Sequence, residues 1–294
     1  MKSKAAILVK QKQKLLIDYI EIPKLLYGQV LVKIKSSRIC GSQIGEINGA
    51  KGIDKFLPHL LGHEAVGFVI ETGQGVKKVK KDDKVILSWI KGEGINSETP
   101  KYPYGKKIVN GGYVTTFNEL AVISENRLTK IDNSVPDDLA ILCADVLSTG
   151  FNSISKVLNA RIGSNILIIG AAGMSLGAIL GAHLSGLNKI CVLDLYDFKI
   201  KNSLYYGANQ SFNLHERNYH SAGIIGDIAD AASNFIASLQ GQVPLDGKRI
   251  ERDGNFFHEN WNGAVKSSDN YKLWGNGVHN TLQVPYGGKF GNDK

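Results

Sequence analysis

The sequence predicts an α/β protein in two parts: a β-rich domain over residues 1–146 and a parallel-sheet domain over residues 147–243, followed by a loop-rich tail over 244–294. Three observations carry this reading. Short runs rich in Val, Ile and Leu, separated by glycine, proline and charged turns, fill the first half. From residue 137 the pattern changes to longer segments that alternate between strand and helix, the signature of a βαβ unit. The length, 294 residues, with 43% apolar and 21% charged residues, is ordinary for about two globular domains and excludes collagen, coiled coil and wholesale disorder.

In chain order, strands are predicted at residues 5–9, 29–34, 65–71, 84–89 and 119–123. Residues 137–158 are long enough for helices, 165–169 form a short buried strand, 175–187 a helix and 189–193 a second strand. A helix over 198–206 and the start of a third strand at 208–212 follow. Beyond Arg217, Ile225, Ile228, Ala232, Phe235, Ile236 and Leu239 keep helical spacing, so one amphipathic helix is predicted there. Residues 244–294 are rich in Gly, Asn, Asp and Lys and hold no apolar run that predicts a strand.

Composition excludes several function classes. Thirty-five basic against 27 acidic residues give a net charge of +8, but only six of the basic residues are Arg, the side chain favoured for bidentate phosphate and base recognition. The lysine excess therefore reads as solvated surface, and no nucleic-acid partner is expected. Residues 163–188 lack Lys, Arg, Asp and Glu, which alone would flag a membrane span. Glycines at 163, 170, 173, 177, 181 and 186 break that run into strand, turn and helix, so no membrane partner is expected either. Three cysteines are too few for a disulfide scaffold, and the apolar run at residues 5–9 is too short for a signal-peptide core; a reducing, cytoplasmic setting is expected.

Two constellations carry chemistry. The first is the turn after residues 165–169, where Gly170, Ala171, Ala172, Gly173 and Ser175 lead into a helix. Small residues let the backbone turn tightly and approach a pyrophosphate at the helix N-terminus, where free N–H groups and the helix dipole favour anions. Gly170 holds the first position of the dinucleotide fingerprint, Ala172 and Ser175 replace the second and third glycines, and Gly173 supplies part of the missing flexibility. Asp194 ends the next strand 24 residues after Gly170, close to the spacing of a carboxylate that grips the adenosine ribose. A negative charge there favours NAD over NADP. The bland alternative is a glycine turn that merely packs a helix onto a sheet.

The second constellation is a set of potential metal ligands. A thiolate, an imidazole and a third anionic ligand suit zinc, and an open fourth position makes such a site catalytic. Cys40 precedes Gly41 and Ser42, His63 lies between Gly62 and Glu64, and Cys143 and Asp145 stand just before Ser148, Thr149 and Gly150. Taken singly, each has an ordinary structural explanation: a buried small hydrophobe, a satisfied polar residue.

Taken in order, these residues resemble the zinc-dependent medium-chain alcohol and polyol dehydrogenases. The resemblance covers roughly residues 4–216. It rests on Cys40-Gly41-Ser42, on the Gly62-His63-Glu64 stretch running to Gly67 and on to Gly73, on Asp83-Lys84-Val85, on Gly111-Gly112 to Val122, on Asp145 through Gly150, and on the turn leading to Asp194. It implies a GroES-like β-barrel followed by a Rossmann-type domain, with one catalytic zinc and NAD meeting in the cleft between them. A Cys2His ligand set is the one known for alcohol dehydrogenase.

Position by position, the resemblance implies Cys40 and His63 as zinc ligands and Asp145 as the third, with Cys143 as the alternative if the helix start is shifted. Glu64 resembles an acidic neighbour of the metal, and Ser42 the hydroxyl that takes the substrate proton. Trp89 falls at an aromatic wall of the substrate pocket, Thr149 and Lys199 at cofactor-contacting positions; a core aromatic, a helix-start hydroxyl and a solvated lysine are the competing explanations of these three. The implied partner is a small alcohol or carbonyl, and the family's usual dimers and tetramers imply a homo-oligomer.

The chain departs from the family in three ways. Residues 91–110 hold no counterpart of its four-cysteine structural zinc lobe, so at most one zinc is expected. Gly45 stands where some members carry a relay histidine, which leaves ribose hydroxyls or water to carry the proton away. After Arg217 nothing matches the segment that holds the nicotinamide end, so the second domain is expected to be incomplete or irregular. A non-catalytic nucleotide-binding or scaffold protein and a zinc-free quinone-type reductase on the same fold are the rival readings.

Overall fold

The computed structural model describes residues 1–50, 52–213, 271–276 and 281–283. They fall into two compact units, Met1–Asp145 and a second that begins at Val146.

The first unit runs β1 (Lys2–Leu8), β2 (Leu16–Glu21), β3 (Gln29–Ser37), α1 (Gly41–Asn48), β4 (His59–Leu60), β5 (Glu64–Thr72), β6 (Lys84–Ser88), β7 (Lys101–Tyr104), β8 (Lys107–Asn110), β9 (Leu120–Ser124), β10 (Leu128–Lys130) and α2 (Asp137–Leu142). Its strands form two five-stranded sheets, ordered β2-β1-β4-β8-β7 and β10-β6-β5-β3-β9. The longest pairing sets β3 antiparallel to β5, with Ile34 opposite Gly67. A side chain at Gly67 would meet the Lys33 carbonyl oxygen at 2.4 Å, so close approach of the two backbones requires glycine there.

Alternation puts Val30, Val32, Ala65, Val69, Val85, Leu87, Ala121 and Ile123 into one apolar cluster of the second sheet. A separate cluster lets α2 cover that sheet, with Ala140, Ile141 and Ala144 against Val66 and Ile86. This contact places Asp145, three residues beyond α2, beside the start of β5, where its carboxylate reaches His63. Lys84, almost fully buried, ties β6 to the first residue of α2 through Asp137 at 2.6 Å.

The second unit runs α3 (Val146–Asn152), a π-helical turn at Ser153–Val157, β11 (Asn165–Ile169), α4 (Gly173–Leu184), β12 (Lys189–Asp194), α5 (Asp197–Tyr205), β13 (Gln210–Asn213), β14 (Tyr271–Asn276) and β15 (Thr281–Gln283). Its sheet is ordered β13-β12-β11-β14-β15. The pairs β11–β12, β12–β13 and β11–β14 are parallel, and β15 closes the edge antiparallel to β14. Ile166, Ile168, Ile190 and Val192 face Ala178, Ile179 and Ala182 of α4 in one core. The GroES-like plus Rossmann-type arrangement expected from the sequence is thus observed.

Residues 271–276 and 281–283 differ from the strand-free reading of residues 244–294. Tyr, Leu and Trp in Tyr271–Asn276 suit a strand, but six residues flanked by polar sequence give no period to read; pairing with β11 supplies the missing order. The helix expected from the spacing of Ile225 to Leu239 lies outside the described residues. Among the described residues no helix is long and apolar enough to cross a membrane.

Candidate functional site

The first unit gathers four potential ligands, one from each of four local devices. β3 leads to Cys40, which caps α1 in extended geometry (φ −102°, ψ 153°). The cap is reciprocal: the Cys40 sulfur faces the Gln43 N–H while Gln43 Oε1 accepts the Cys40 N–H at 2.9 Å. His63 follows Gly62, whose φ of 92° is left-handed and whose missing side chain would meet Thr116 Oγ1 at 2.2 Å. Only glycine turns the chain there. Glu64 opens β5 and is fully buried, and Asp145 follows α2. The ligand atoms of Cys40, His63, Glu64 and Asp145 all lie within 4.8 Å of one another.

Hydrogen bonds orient each group. His63 Nε2 faces Asp145 Oδ2 at 3.2 Å, and the Gln43 side-chain nitrogen meets His63 Nδ1. The indole of Trp89 donates to Asp145 Oδ1 at 2.8 Å. Arg38 Nη1 pairs with Glu64 Oε2 at 3.3 Å, whereas Glu64 Oε1 is buried with no partner, as is the Ser42 hydroxyl.

The electrostatics follow from this crowding. The His63 hydrogen bond, outweighing burial, holds the Cys40 thiol below its ordinary range. Burial is the largest influence on His63 and opposes its charge, but Asp145 and Cys40 together push it up to about 9. Burial also raises the Glu64 carboxyl above the usual range, against the pull of Arg38.

This donor set fits a zinc-type cation. A tetrahedral site with bonds of about 2.0–2.3 Å places ligand atoms about 3.3–3.8 Å apart, within the spacing found. A thiolate and a carboxylate would neutralise the ion, an imidazole completes the usual trio, and the unpartnered Glu64 oxygen is the kind of buried atom a cation satisfies. Of the two residues left open for the third place, Asp145 stands in the group. Cys143 is exposed, with its sulfur 3.8 Å from the Leu139 carbonyl. Trp89, expected as a pocket wall, is half-exposed and bonded to Asp145. Gln43 and Arg38 were not anticipated; a polar residue three positions after a capping cysteine is the one sequence signal that points to Gln43.

The second unit holds the turn. Gly170 sits at φ 90° with its N–H on the Leu193 carbonyl at 2.7 Å, and α4 starts at Gly173 behind Ala172 with no side-chain cap. Ser175 is fully buried with an unpartnered hydroxyl, and a side chain at Gly177 would meet the Val146 carbonyl oxygen at 2.3 Å. Thr149 lies half-buried on α3. A left-handed glycine before an uncapped helix N-terminus fits the pyrophosphate of a dinucleotide. Asp194 ends β12; its Oδ2 accepts the Ala171 N–H at 2.7 Å, and its Oδ1 accepts Leu195 N–H at 2.7 Å and Tyr196 N–H at 3.2 Å. Lys199 Nζ lies 3.5 Å from Asp194 Oδ1.

Residues 27–133 match the alcohol dehydrogenase GroES-like domain family. The chain is similar to the solved benzyl alcohol dehydrogenase of Acinetobacter calcoaceticus, at 18% identity and TM-score 0.67 over 95% of this chain and 84% of that one. It is also similar to an alcohol dehydrogenase zinc-binding domain protein of Burkholderia ambifaria, at 20% identity and TM-score 0.66, covering 74% of this chain and 65% of that one. A third similar structure is a zinc-binding dehydrogenase of Sinorhizobium meliloti 1021 bound to NADP, at 18% identity and TM-score 0.59 over 78% of this chain and 68% of that one. At these identities the likeness is one of fold, and the chain spans 65% of the length of the Burkholderia protein. The match within the barrel is to the alcohol dehydrogenase GroES-like domain family, and the two-part fold is similar to that of solved alcohol dehydrogenases, the fold that the sequence resemblance implied.

Proposed function

We propose that this chain is a zinc-dependent oxidoreductase that moves a hydride between an alcohol or polyol, or the matching carbonyl, and NAD. The observation that carries this reading is the convergence of Cys40, His63, Glu64 and Asp145 within 4.8 Å in a barrel of the alcohol dehydrogenase family.

Cys40, His63 and Asp145 would hold one zinc, which when bound supplies a Lewis acid that polarises an alcohol or carbonyl oxygen. Ser42 presents a buried hydroxyl two residues after Cys40, beside the Cys40 sulfur, where it can accept the substrate proton as it passes its own on to a ribose hydroxyl or water. Glu64, held by Arg38 through one oxygen, keeps the other turned to the ligand group, where it can stabilise positive charge. Trp89 both orients Asp145 and offers an exposed apolar ring to a substrate.

In the second unit Gly170, Ala172, Gly173 and Ser175 build the turn that would receive the pyrophosphate, and Asp194, Lys199 and Thr149 are the remaining cofactor-contact candidates. The cofactor would carry the hydride, while these residues bind and orient it. The substrate is a small molecule, a homo-oligomer follows from family habit, and a cytoplasmic setting from the cysteine usage.

Elemental mass spectrometry of the purified protein, paired with an NADH titration and an alcohol oxidation assay, tests the proposal. One zinc per chain with NADH-linked turnover supports it. NADH binding without zinc or turnover would replace it with a non-catalytic nucleotide-binding protein.

A further inference from the structure

We infer that Ser88 is a positioning residue of the metal centre: it holds the main chain that enters Asp145, while Trp89 holds the carboxylate at the other end of the same residue. The inference rests on the metal part of the proposed function.

Ser88 closes β6, a strand that is apolar from Val85 to Leu87. Side chains alternate along a strand, so Ser88 shares a face with Ile86, which packs against Ala140, Ile141 and Ala144. A hydroxyl on that face needs a polar partner, and the chain beyond α2 supplies one. The Ser88 hydroxyl donates to the Ala144 carbonyl at 2.5 Å and accepts the Ile90 N–H at 3.1 Å. An N–H can only donate, so the hydroxyl proton is left for Ala144. The two bonds run in one direction, from Ile90 through Ser88 to Ala144, and chained bonds strengthen one another.

The Ala144 carbonyl belongs to the peptide unit that leads into Asp145. That unit is planar, so holding its oxygen also sets the Asp145 nitrogen and restricts the direction in which the side chain leaves the main chain. One residue after Ser88, the Trp89 indole takes Asp145 Oδ1 at 2.8 Å, and Arg127 donates to the Trp89 carbonyl between the two grips. The register supplies the fixed point. Ser88 stands opposite Glu64 in the β5–β6 ladder, so the residue that grips the chain at Asp145 is anchored beside the strand end that carries His63 and Glu64. Ligands 82 positions apart in sequence thereby share one anchor. A site of this kind binds well only when its ligands are held within about 0.5 Å of the productive arrangement.

Zinc affinity by chelator competition tests the inference, together with the visible absorption of the cobalt(II)-loaded protein, which reports coordination geometry. Ser88→Ala should weaken zinc binding about tenfold and alter the cobalt spectrum, while circular dichroism shows a folded chain. Ser88→Thr and Ser88→Val share a shape and differ in the hydroxyl. The threonine variant should stay within about threefold of the unmodified affinity, and the valine variant should fall with alanine by about tenfold. A serine that merely fastened β6 to the chain after α2 would lower the thermal stability of the metal-free protein and leave zinc affinity and the cobalt spectrum unchanged. That result would overturn the inference and leave the proposed function intact, as would equal zinc affinity in the threonine and valine variants. Failure of the unmodified protein to bind zinc would overturn both.

Discussion

Trp89 and Asp145 are joined by an indole N–H that donates to Asp145 Oδ1 at 2.8 Å, while the other carboxylate oxygen, Oδ2, faces His63 Nε2 at 3.2 Å. A metal-facing carboxylate held by an outer partner keeps its other oxygen in place, and losing such a partner costs about 10- to 100-fold in metal affinity. Trp89→Phe keeps an aromatic ring and removes the donor, so zinc affinity measured by competition with a chelator should fall about tenfold while the protein stays folded. Unchanged affinity would mean that the indole contributes a pocket wall and nothing to the ligand.

Glu125 performs a structural task with a defined pH signature. Its carboxylate accepts the N–H groups of Lys77 at 2.7 Å, Lys78 at 2.8 Å and Ile95 at 2.7 Å, and so pins the loops before β6 and β7 to the start of β10. Burial opposes the charge, but these three donors outweigh it and hold the carboxyl below 4.5. The folded value is depressed, so the stabilisation is present above 4.5 and lost as pH falls through the lower folded value. Glu125→Gln should cost about 2 kcal/mol at pH 7 and progressively less as pH falls below 4.5 and through the folded value, read from denaturant unfolding across an acid pH series. A loss that stays constant across the series would show that the charge is irrelevant.

Gly150 measures how tightly α3 packs on α4. A side chain there would meet the Met174 carbonyl oxygen at 2.4 Å and the Ala178 nitrogen at 2.5 Å, both backbone atoms that cannot swing away. Gly150→Ala should destabilise the second unit by about 3 kcal/mol and weaken nucleotide binding, because α4 carries the turn. Unchanged thermal unfolding would mean that the two helices can separate without cost.

The strands that the sequence revealed are β1, β3, β5, β6, β9, β11, β12 and the start of β13, most of them carried by apolar runs. β4, β7, β8 and β10 have two to four residues each and owe their order to pairing partners far along the chain, which no local pattern records. α1 was hidden for another reason: its sequence Gly41–Asn48 holds two glycines and little apolar periodicity, and its start depends on the Cys40–Gln43 cap. Cys40, His63, Glu64 and Asp145 were legible because their order matched a known family. Gln43, Arg38 and the indole N–H of Trp89 touch those residues only after folding, and nothing in their spacing announces it. Asp194 was legible by position, but its three backbone partners were not, since the amides of residues 171, 195 and 196 become donors to it only once the turn is built.

The central claim is that Cys40, His63 and Asp145 hold one catalytic zinc. Native mass spectrometry of four variants tests it most directly: Cys40→Ala, His63→Ala, Asp145→Ala and Cys143→Ser, each purified in the presence of zinc and checked for folding by circular dichroism. The account predicts one zinc in the unmodified protein and in Cys143→Ser, and none in the other three. Zinc retained in folded Asp145→Ala but lost in Cys143→Ser would contradict it, because the third ligand would then be the thiol that lies exposed on the last turn of α2.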